Sequence, residues 1–173
     1  MSTELTPEQE KQVQERLLER EQQTAIKWWE ILETEKAKLL RTMKKHFGEE
    51  VYRVVVESKA EETREQYRKL AEQFEDNSIE SYVKNIWKPL SSQGFELIIE
   101  KTETGFRQCL TKCPIYDMAK RNGTTEEAYY LCCASDPDMA EGFNPNIGFK
   151  RTKTLMQGHD CCNNELYYIN KPE

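Results

Sequence analysis

Apolar side chains recur at three- and four-residue steps through the first part of the chain, and this spacing constrains the fold more than any other feature. The apolar spacing starts after Thr6-Pro7-Glu8-Gln9, which is a capping box with proline at the first helical position. One helix is expected to end near Gly48, and a second follows. The apolar stripe of the two helices comprises Val13, Leu17, Trp28, Ile31, Leu32, Leu39, Met43, Phe47, Val51, Val54, Val55, Tyr67, Leu70 and Phe74. Residues 1–78 are therefore predicted to form a helical arm, as an antiparallel hairpin or one long broken helix.

This arm carries more apolar surface than a small domain can cover. Trp28 and Trp29 are adjacent, so they place an aromatic ring on two faces of the first helix. We expect a homodimer formed through these N-terminal helices. The competing expectation is that the stripe packs entirely on the chain's own sheet.

The apolar period changes after residue 78. A short helix is expected around Ile79 to Trp87, broken by Pro89. Two alternating runs, Phe95–Lys101 and Phe106–Leu110, flank a turn that contains glycine, which predicts a β-hairpin.

Two helices are expected after the hairpin. Pro114 opens the first, which closes at Asn122-Gly123. Thr124-Thr125-Glu126-Glu127 is a second capping box and starts the helix that carries Cys132-Cys133.

The remaining segments predict a loop and two strands. Residues 136–145 contain Asp-Pro-Asp and Asn-Pro steps typical of a loop, whereas residues 147–155 and 164–169 are strand-like. Residues 79–173 are thus expected to be an α+β domain with a mostly antiparallel sheet of about four strands and helices packed on one face.

Composition excludes several classes of protein. Hydrophobic residues make up 37% of the chain, charged residues make up 32%, and no apolar run is long enough to span a membrane. The net charge of −6 comes from interspersed acids and bases, which disfavours nucleic acid as a partner. The N-terminus lacks the basic and apolar order of a secretory signal, so we expect a cytoplasmic protein.

All six cysteines lie in the last third of the chain, at Cys109, Cys113, Cys132, Cys133, Cys161 and Cys162. In a reducing cytosol thiols seldom persist as structural disulfides, so these residues are candidate ligands, nucleophiles or small buried side chains. The thiols occur in three groups, and about one strand or helix separates each group from the next. This spacing predicts that the groups meet at one place in the fold, which is the expected site.

Four ordered motifs carry a resemblance to a known family. They are Lys112-Cys113-Pro114, Cys133-Ala134-Ser135-Asp136, Phe149-Lys150-Arg151-Thr152-Lys153-Thr154-Leu155 and Gly158-His159-Asp160-Cys161-Cys162. Together they resemble the L-2-amino-thiazoline-4-carboxylic acid hydrolase family over about residues 90–170. The closing motif departs from the family's usual Gly-Asp step, so either His159 replaces the acid or Asp160 takes its role one position later.

The resemblance implies a cytoplasmic hydrolase that opens the ring of 2-amino-thiazoline-4-carboxylate to give N-carbamoyl-L-cysteine. It also implies kinship in shape with vinyl-reductase-type ligand-binding modules. A non-catalytic small-molecule or metal-binding sensor is therefore the alternative function, and a purely structural dimer with inert cysteines is a third.

Ring opening requires a nucleophile at C2, a proton for the leaving thiolate and a cation for the substrate carboxylate. Either Cys133 or Cys162 attacks as a thiolate, or a metal-bound hydroxide attacks with Cys113, Cys133 and Cys162 as soft ligands. The remaining candidates are His159 or Asp160 to complete a metal shell, Asp136 and Asp160 for proton transfer, and Arg151 and Lys153 for the carboxylate.

Each of these residues also has an ordinary structural interpretation. Asp136 precedes Pro137, as many turn residues do, and His159 lies in a polar turn that contains glycine. Arg151 and Lys153 share one face of a strand, and that face is expected to be exposed to solvent. Thiolates select zinc or iron, but no Cys-x-x-Cys motif occurs, so a zinc or iron site, an iron–sulfur cluster as the weaker option, and no cofactor at all remain open.

Overall fold

The computed structural model describes residues 6–170. The chain divides into two compact units, Met1–Lys36 and Ala37–Glu173. The helices of the described part are α1 (Pro7–Phe47), α2 (Glu50–Ala71), α3 (Ile79–Tyr82), α4 (Pro114–Arg121), α5 (Thr125–Ala128) and α6 (Asp136–Phe143). The strands are β1 (Glu96–Lys101), β2 (Gly105–Lys112), β3 (Ile147–Lys150) and β4 (Cys162–Tyr168).

The first helix begins and ends where its local sequence predicts. The Thr6 N–H donates to Gln9 Oε1 at 2.9 Å, and the Gln9 N–H donates to Thr6 Oγ1 at 3.3 Å, so the capping box is confirmed. Gly48 follows α1 with a φ of 80°, a left-handed conformation that glycine adopts without a steric penalty.

The four strands form one antiparallel sheet in the order β1-β2-β4-β3. In the pairing of β2 with β4, Phe106 lies opposite Leu166, Gln108 opposite Asn164 and Leu110 opposite Cys162. Because side chains alternate across a strand, these three pairs share one face of the sheet. The α+β class, the predicted hairpin of β1 and β2, and the four-stranded antiparallel sheet are confirmed.

That inner face packs on helices, where the main core lies. The core combines residues of α2, α3, the turn that follows α3, α6 and the sheet: Ala71, Ile79, Tyr82, Val83, Trp87, Ala140, Phe143, Ile147 and Leu166. Helix α6 comes so close to α2 that a Cβ on Gly142 would lie 2.4 Å from the carbonyl oxygen of Arg64. Ile98 on β1 is 64% exposed, because it points away from the helices.

Two expectations about local structure are wrong. Residues 136–143 form α6 and not a loop, because Pro137 occupies the first turn, where its missing N–H leaves no helical hydrogen bond unmade. The last two strands are displaced: β3 ends at Lys150, while β4 already starts at Cys162. The short helix expected around Ile79 to Trp87 is confirmed, since α3 continues as a π turn, Val83–Trp87. A separate 3-10 turn, Lys88–Gln93, follows with Pro89 near its start.

The prediction of a second capping box at Thr124–Glu127 is also wrong. Thr124 makes no side-chain cap, and its hydroxyl donates to the Ala119 carbonyl. Glu127 is 1% exposed and is held by Arg41 of α1, whose Nε and Nη2 donate to the two carboxylate oxygens at 2.7 Å each. Burial alone would raise the pKa of Glu127, but the hydrogen bond from Arg41 is among the opposing contacts that lower it.

Replacement of Arg41 by methionine should lower the free energy of unfolding by about 2 kcal/mol, since Glu127 would lose its partner while remaining buried. The matched control is Arg53→Met, which removes an exposed guanidinium from ion pairs on the surface of α2 and should change stability little. Urea denaturation of both variants measures the difference.

The effect of Arg41→Met should depend on pH in a defined direction. The pKa of Glu127 is lowered in the folded state, so its stabilising effect is present above its unfolded pKa and disappears as pH falls through the folded pKa. The gap in stability between wild type and Arg41→Met should therefore narrow on acidification. Equal stability of the two arginine variants at neutral pH would contradict this account.

Candidate functional site

The second unit contains a cavity of about 250 Å³ between the inner face of the sheet and the helices. Its volume lies just below the range of roughly 300–1,000 Å³ that holds drug-sized ligands, so it suits a small molecule. Its walls are mostly apolar and aromatic, formed by Tyr67, Tyr82, Ile86, Trp87, Leu90, Phe95, Leu110, Ile115, Met139 and Phe149. Its polar lining comprises Gln108, Cys113, Cys132, Cys133, Asp136, Arg151, Cys162 and Asn164.

Cys162 enters the cavity from the first position of β4. The preceding turn, Leu155–Gln157, is capped by Thr154 and ends at Gly158 with a φ of 85°. This turn aims the backbone N–H of Leu155 at Cys162 Sγ, 3.3 Å away. A thiolate formed at Cys162 would therefore meet a hydrogen-bond donor that is already in place.

Cys133 reaches the cavity from a π turn, Tyr129–Cys133, in which the N–H of Ala134 donates to the carbonyl of Tyr129. The wider turn shifts the side chains that follow it relative to a regular α-helix. Lys59 of α2 supports this turn, because its Nζ donates to the Leu131 carbonyl at 2.5 Å.

Arg151 and Asp136 form a partly buried ion pair beside Cys133. One guanidinium nitrogen of Arg151 donates to Asp136 Oδ2, and Nη2 donates to the Cys133 carbonyl at 2.7 Å. The guanidinium also lies over the rings of Phe149 and Tyr129, with distances of 5.3 and 5.9 Å to the centroids. This pair joins two sides of the cavity, namely the end of β3 and the start of α6.

Burial raises the pKa of all three thiols that were expected to act together. The shift is large for Cys133, where Asp136 raises the pKa further and Arg151 opposes it. For Cys162 the Leu155 N–H and Arg151 oppose the effect of burial, and for Cys113 the N–H of Tyr116 does. The ordinary state of these cysteines at neutral pH is therefore the protonated thiol.

The same desolvation also affects the pKa values of Asp136 and Arg151. Burial raises the pKa of Asp136, while Arg151 opposes the shift by charge and hydrogen bonding. Burial alone would lower the pKa of Arg151, but Asp136 raises it. Asp136 is consequently a better proton acceptor than an exposed aspartate, and Arg151 stays charged.

Three predicted site residues are not brought to the cavity. Lys153, His159 and Asp160 are exposed, and Lys153 Nζ lies 3.5 Å from Asp160 Oδ1. Backbone N–H groups and then Lys153 lower the pKa of Asp160, which suits a surface carboxylate. Cys161 does not line the cavity, and its interaction with Cys109 adds to the effect of burial in raising its pKa.

The predicted metal-binding set is not assembled. Among residues 6–170, no group of three or more His, Cys, Asp or Glu side chains is arranged so that it could hold a metal ion. Cys113 caps α4 and accepts the N–H of Tyr116 at 3.5 Å, while His159 and Asp160 lie on an exposed turn. Cys113, Cys133 and Cys162 share the cavity but do not form a metal-binding cluster.

Sequence comparison identifies the family. The profile of the L-2-amino-thiazoline-4-carboxylic acid hydrolase family matches residues 30–165 of the 173 in the chain. The chain belongs to this family. The matched range contains every residue that lines the cavity, from Tyr67 to Asn164.

No curated protein and no solved structure matches the chain. Within residues 6–170, no helix is both long and apolar enough to cross a lipid bilayer.

Two polar residues of the cavity were not expected from the sequence. Gln108 and Asn164 are buried on the inner face of the sheet, opposite one another in neighbouring strands. Each occupies a position where an alternating strand would have an apolar residue, in Phe106-x-Gln108-x-Leu110 and in Cys162-x-Asn164-x-Leu166. This interruption of the alternation is the sequence feature that could have identified both amides.

The charge of Arg151 should control the reactivity of Cys162 towards iodoacetamide. Replacement of Arg151 by methionine removes a contact that lowers the pKa of Cys162, so alkylation of this thiol at neutral pH should slow. The matched control is Lys153→Met, which should leave Cys162 unchanged and slow Cys161, whose pKa Lys153 lowers. Alkylation at each position is followed by peptide fragmentation in a mass spectrometer. An equal effect of both variants on Cys162 would refute this electrostatic coupling.

Proposed function

We propose that the protein is a hydrolase that opens the ring of 2-amino-thiazoline-4-carboxylate or of a similar small cyclic compound with adjacent C–N and C–S bonds. Membership of the family supports the substrate class. The observation that carries the proposal is the meeting of the Cys162 thiol with the Arg151–Asp136 pair in one small cavity.

Cys162 is the proposed nucleophile. Its sulfur accepts the Leu155 N–H at 3.3 Å and interacts favourably with Arg151, and both contacts stabilise a thiolate. Cys133 is disfavoured because burial raises its pKa far above the usual value and Asp136 raises it by more than Arg151 lowers it, whereas at Cys162 the effect of Arg151 exceeds that of Asp136. Cys133 contributes its carbonyl, which fixes Arg151.

In the first step Asp136 takes the proton of the Cys162 thiol, and the thiolate adds to C2 of the ring. The bond between C2 and the ring sulfur then breaks, and the leaving sulfur receives the proton from Asp136. The product of this step is an isothiourea in which Cys162 is bonded to the former C2 and the substrate carries a free thiol. The raised pKa of Asp136 suits both transfers.

In the second step water adds to the same carbon and Cys162 leaves as its thiol. The carbon keeps the oxygen of water and both nitrogens, so the product is an N-carbamoyl cysteine. One water is consumed over the two steps, and no oxidant or reductant is required.

Arg151 has a separate role in binding. A guanidinium has five N–H donors, and the hydrogen bonds to Asp136 and Cys133 leave donors for the substrate carboxylate. Of the described residues that line the cavity, Arg151 is the only lysine or arginine. Lys153, His159 and Asp160 have no role in this proposal because they are exposed.

Replacement of Cys162 by serine should reduce kcat for 2-amino-thiazoline-4-carboxylate by at least about a thousandfold, since a serine hydroxyl in this setting lacks a strong base. The matched control is Cys161→Ser, one residue away and outside the cavity, which should keep near wild-type kcat. Release of free thiol, measured with a chromogenic disulfide, follows turnover.

Full activity of Cys162→Ser would exclude thiolate catalysis at this residue. Tight binding of the substrate by wild-type protein with no product at any pH would instead favour the alternative function, a sensor that binds a small molecule without reacting. The observation that supports this alternative is that burial keeps the thiols of Cys113, Cys133 and Cys162 protonated at rest.

We further propose that the protein forms a homodimer through the helical arm of residues 1–78. In the first unit Leu17, Trp28 and Leu32 of α1 are exposed, and in the second unit Leu39 and Met43 are. Exposed apolar side chains at this density on one helix are typical of an interface between subunits.

The double variant Leu39→Lys/Met43→Lys should be monomeric, because two charges would enter the apolar face. Lys45→Ala on the exposed surface of the same helix is the control and should keep the wild-type mass. Light scattering coupled to size exclusion gives the masses, and a monomeric wild-type protein at tens of micromolar would overturn the dimer.

A further inference from the structure

Gln108 and Asn164 form an isolated pair of amides in the wall of the cavity. Gln108 is 1% exposed and Asn164 is 7% exposed. They lie directly opposite each other in β2 and β4, and Asn164 Nδ2 donates to Gln108 Oε1 at 2.6 Å. This hydrogen bond uses one polar atom of each amide.

The other atom of each amide has no partner. Gln108 Nε2 and Asn164 Oδ1 are both buried, and neither has a hydrogen bond within the described part of the chain. A buried polar atom left unpaired destabilises a fold, so such atoms usually have a partner. Rotating both amides by 180° would exchange the two unpaired atoms, but one donor and one acceptor would still be left side by side.

None of the described side chains around the amide pair makes a hydrogen bond to these two atoms. Along the inner face the pair lies between Phe106 opposite Leu166 on one side and Leu110 opposite Cys162 on the other. Both amides line the cavity that contains Cys162. The missing partner therefore has to come from the contents of the cavity.

The position of the pair relative to Cys162 matches the proposed reaction. Asn164 and Cys162 are alternate residues of β4 on the same face, so their Cα atoms lie roughly 6.6 Å apart. A planar group held by hydrogen bonds of about 2.9 Å to the amides would therefore lie beside Cys162, on the same face of the sheet. Attack by Cys162 requires this proximity.

We propose that the Gln108–Asn164 pair binds the planar N–C–N end of the substrate, an amidine in the ring compound and a carbamoyl group in the product, through one hydrogen bond donated and one accepted. The inference rests on the proposed function and adds the residues that determine specificity. An amidine with an N–H next to an imine nitrogen presents the complementary donor and acceptor, as does the N–H and C=O of a carbamoyl group. A thiazoline that lacks the 2-amino group cannot provide both.

The test compares two ligands and two proteins. The ligands are 2-amino-thiazoline-4-carboxylate and thiazoline-4-carboxylate, which lacks the amino group. The proteins are Cys162→Ser, in which binding is separated from turnover, and the same protein with Gln108→Met and Asn164→Leu added. Dissociation constants come from calorimetry and stability from thermal unfolding.

Cys162→Ser should bind the amino compound at least about tenfold more tightly than the compound without it, and the added substitutions should abolish that preference. They should also leave the melting temperature unchanged or raise it, because they replace two incompletely paired buried amides with apolar side chains of similar size. A purely structural role for the pair predicts the opposite result, a fall in the melting temperature with the ligand preference kept.

The two proposals can fail separately. Wild-type turnover of the amino compound with no loss of preference in the amide variant would overturn the role of Gln108 and Asn164 alone. A preference that depends on the amides, without turnover by wild type, would support this inference and overturn the hydrolase. Failure of Cys162→Ser to bind either ligand would overturn the binding role of the pair, and turnover by wild type would then decide separately on the hydrolase.

Discussion

The antiparallel pairing of β2 with β4 is the constraint on which the site depends. Its register sets Gln108 opposite Asn164 and Leu110 opposite Cys162, and a shift of β4 by one residue would turn Cys162 and Asn164 to the other face of the sheet. The apolar pair Phe106 and Leu166 fixes this register from the core side, since Leu166 is fully buried. On the same face of the same two strands, the pair Phe106–Leu166 thus packs in the core, while the pairs Gln108–Asn164 and Leu110–Cys162 line the cavity.

Desolvation gives the cavity its electrostatic character. It raises the pKa of the thiols and of Asp136, and it strengthens the ion pair with Arg151, which spans from the end of β3 to the start of α6. In the proposed mechanism the site becomes reactive when a proton moves from Cys162 to Asp136. A substrate carboxylate and the new thiolate would then both lie near the guanidinium of Arg151, which is the only arginine among the described residues that line the cavity.

Features coded by neighbouring residues could be predicted from the sequence, whereas those set by distant partners could not. The Thr6 capping box, the β1–β2 hairpin and the gathering of Cys133, Asp136, Arg151 and Cys162 follow from local patterns and ordered motifs. Glu127 was misassigned because its partner, Arg41, is 86 positions away, and the Gln108–Asn164 pair joins residues 56 positions apart. His159 and Asp160 were expected at the site from the motif alone, but the glycine turn leaves them exposed.

The most direct test of the account is the mass of the protein quenched in acid during turnover of 2-amino-thiazoline-4-carboxylate. Ring opening by Cys162 adds the whole substrate without loss of atoms, so the account predicts a species heavier by the full mass of the substrate, with the added mass on Cys162 after peptide fragmentation. Turnover with unmodified protein throughout, or an adduct on Cys133, would contradict it.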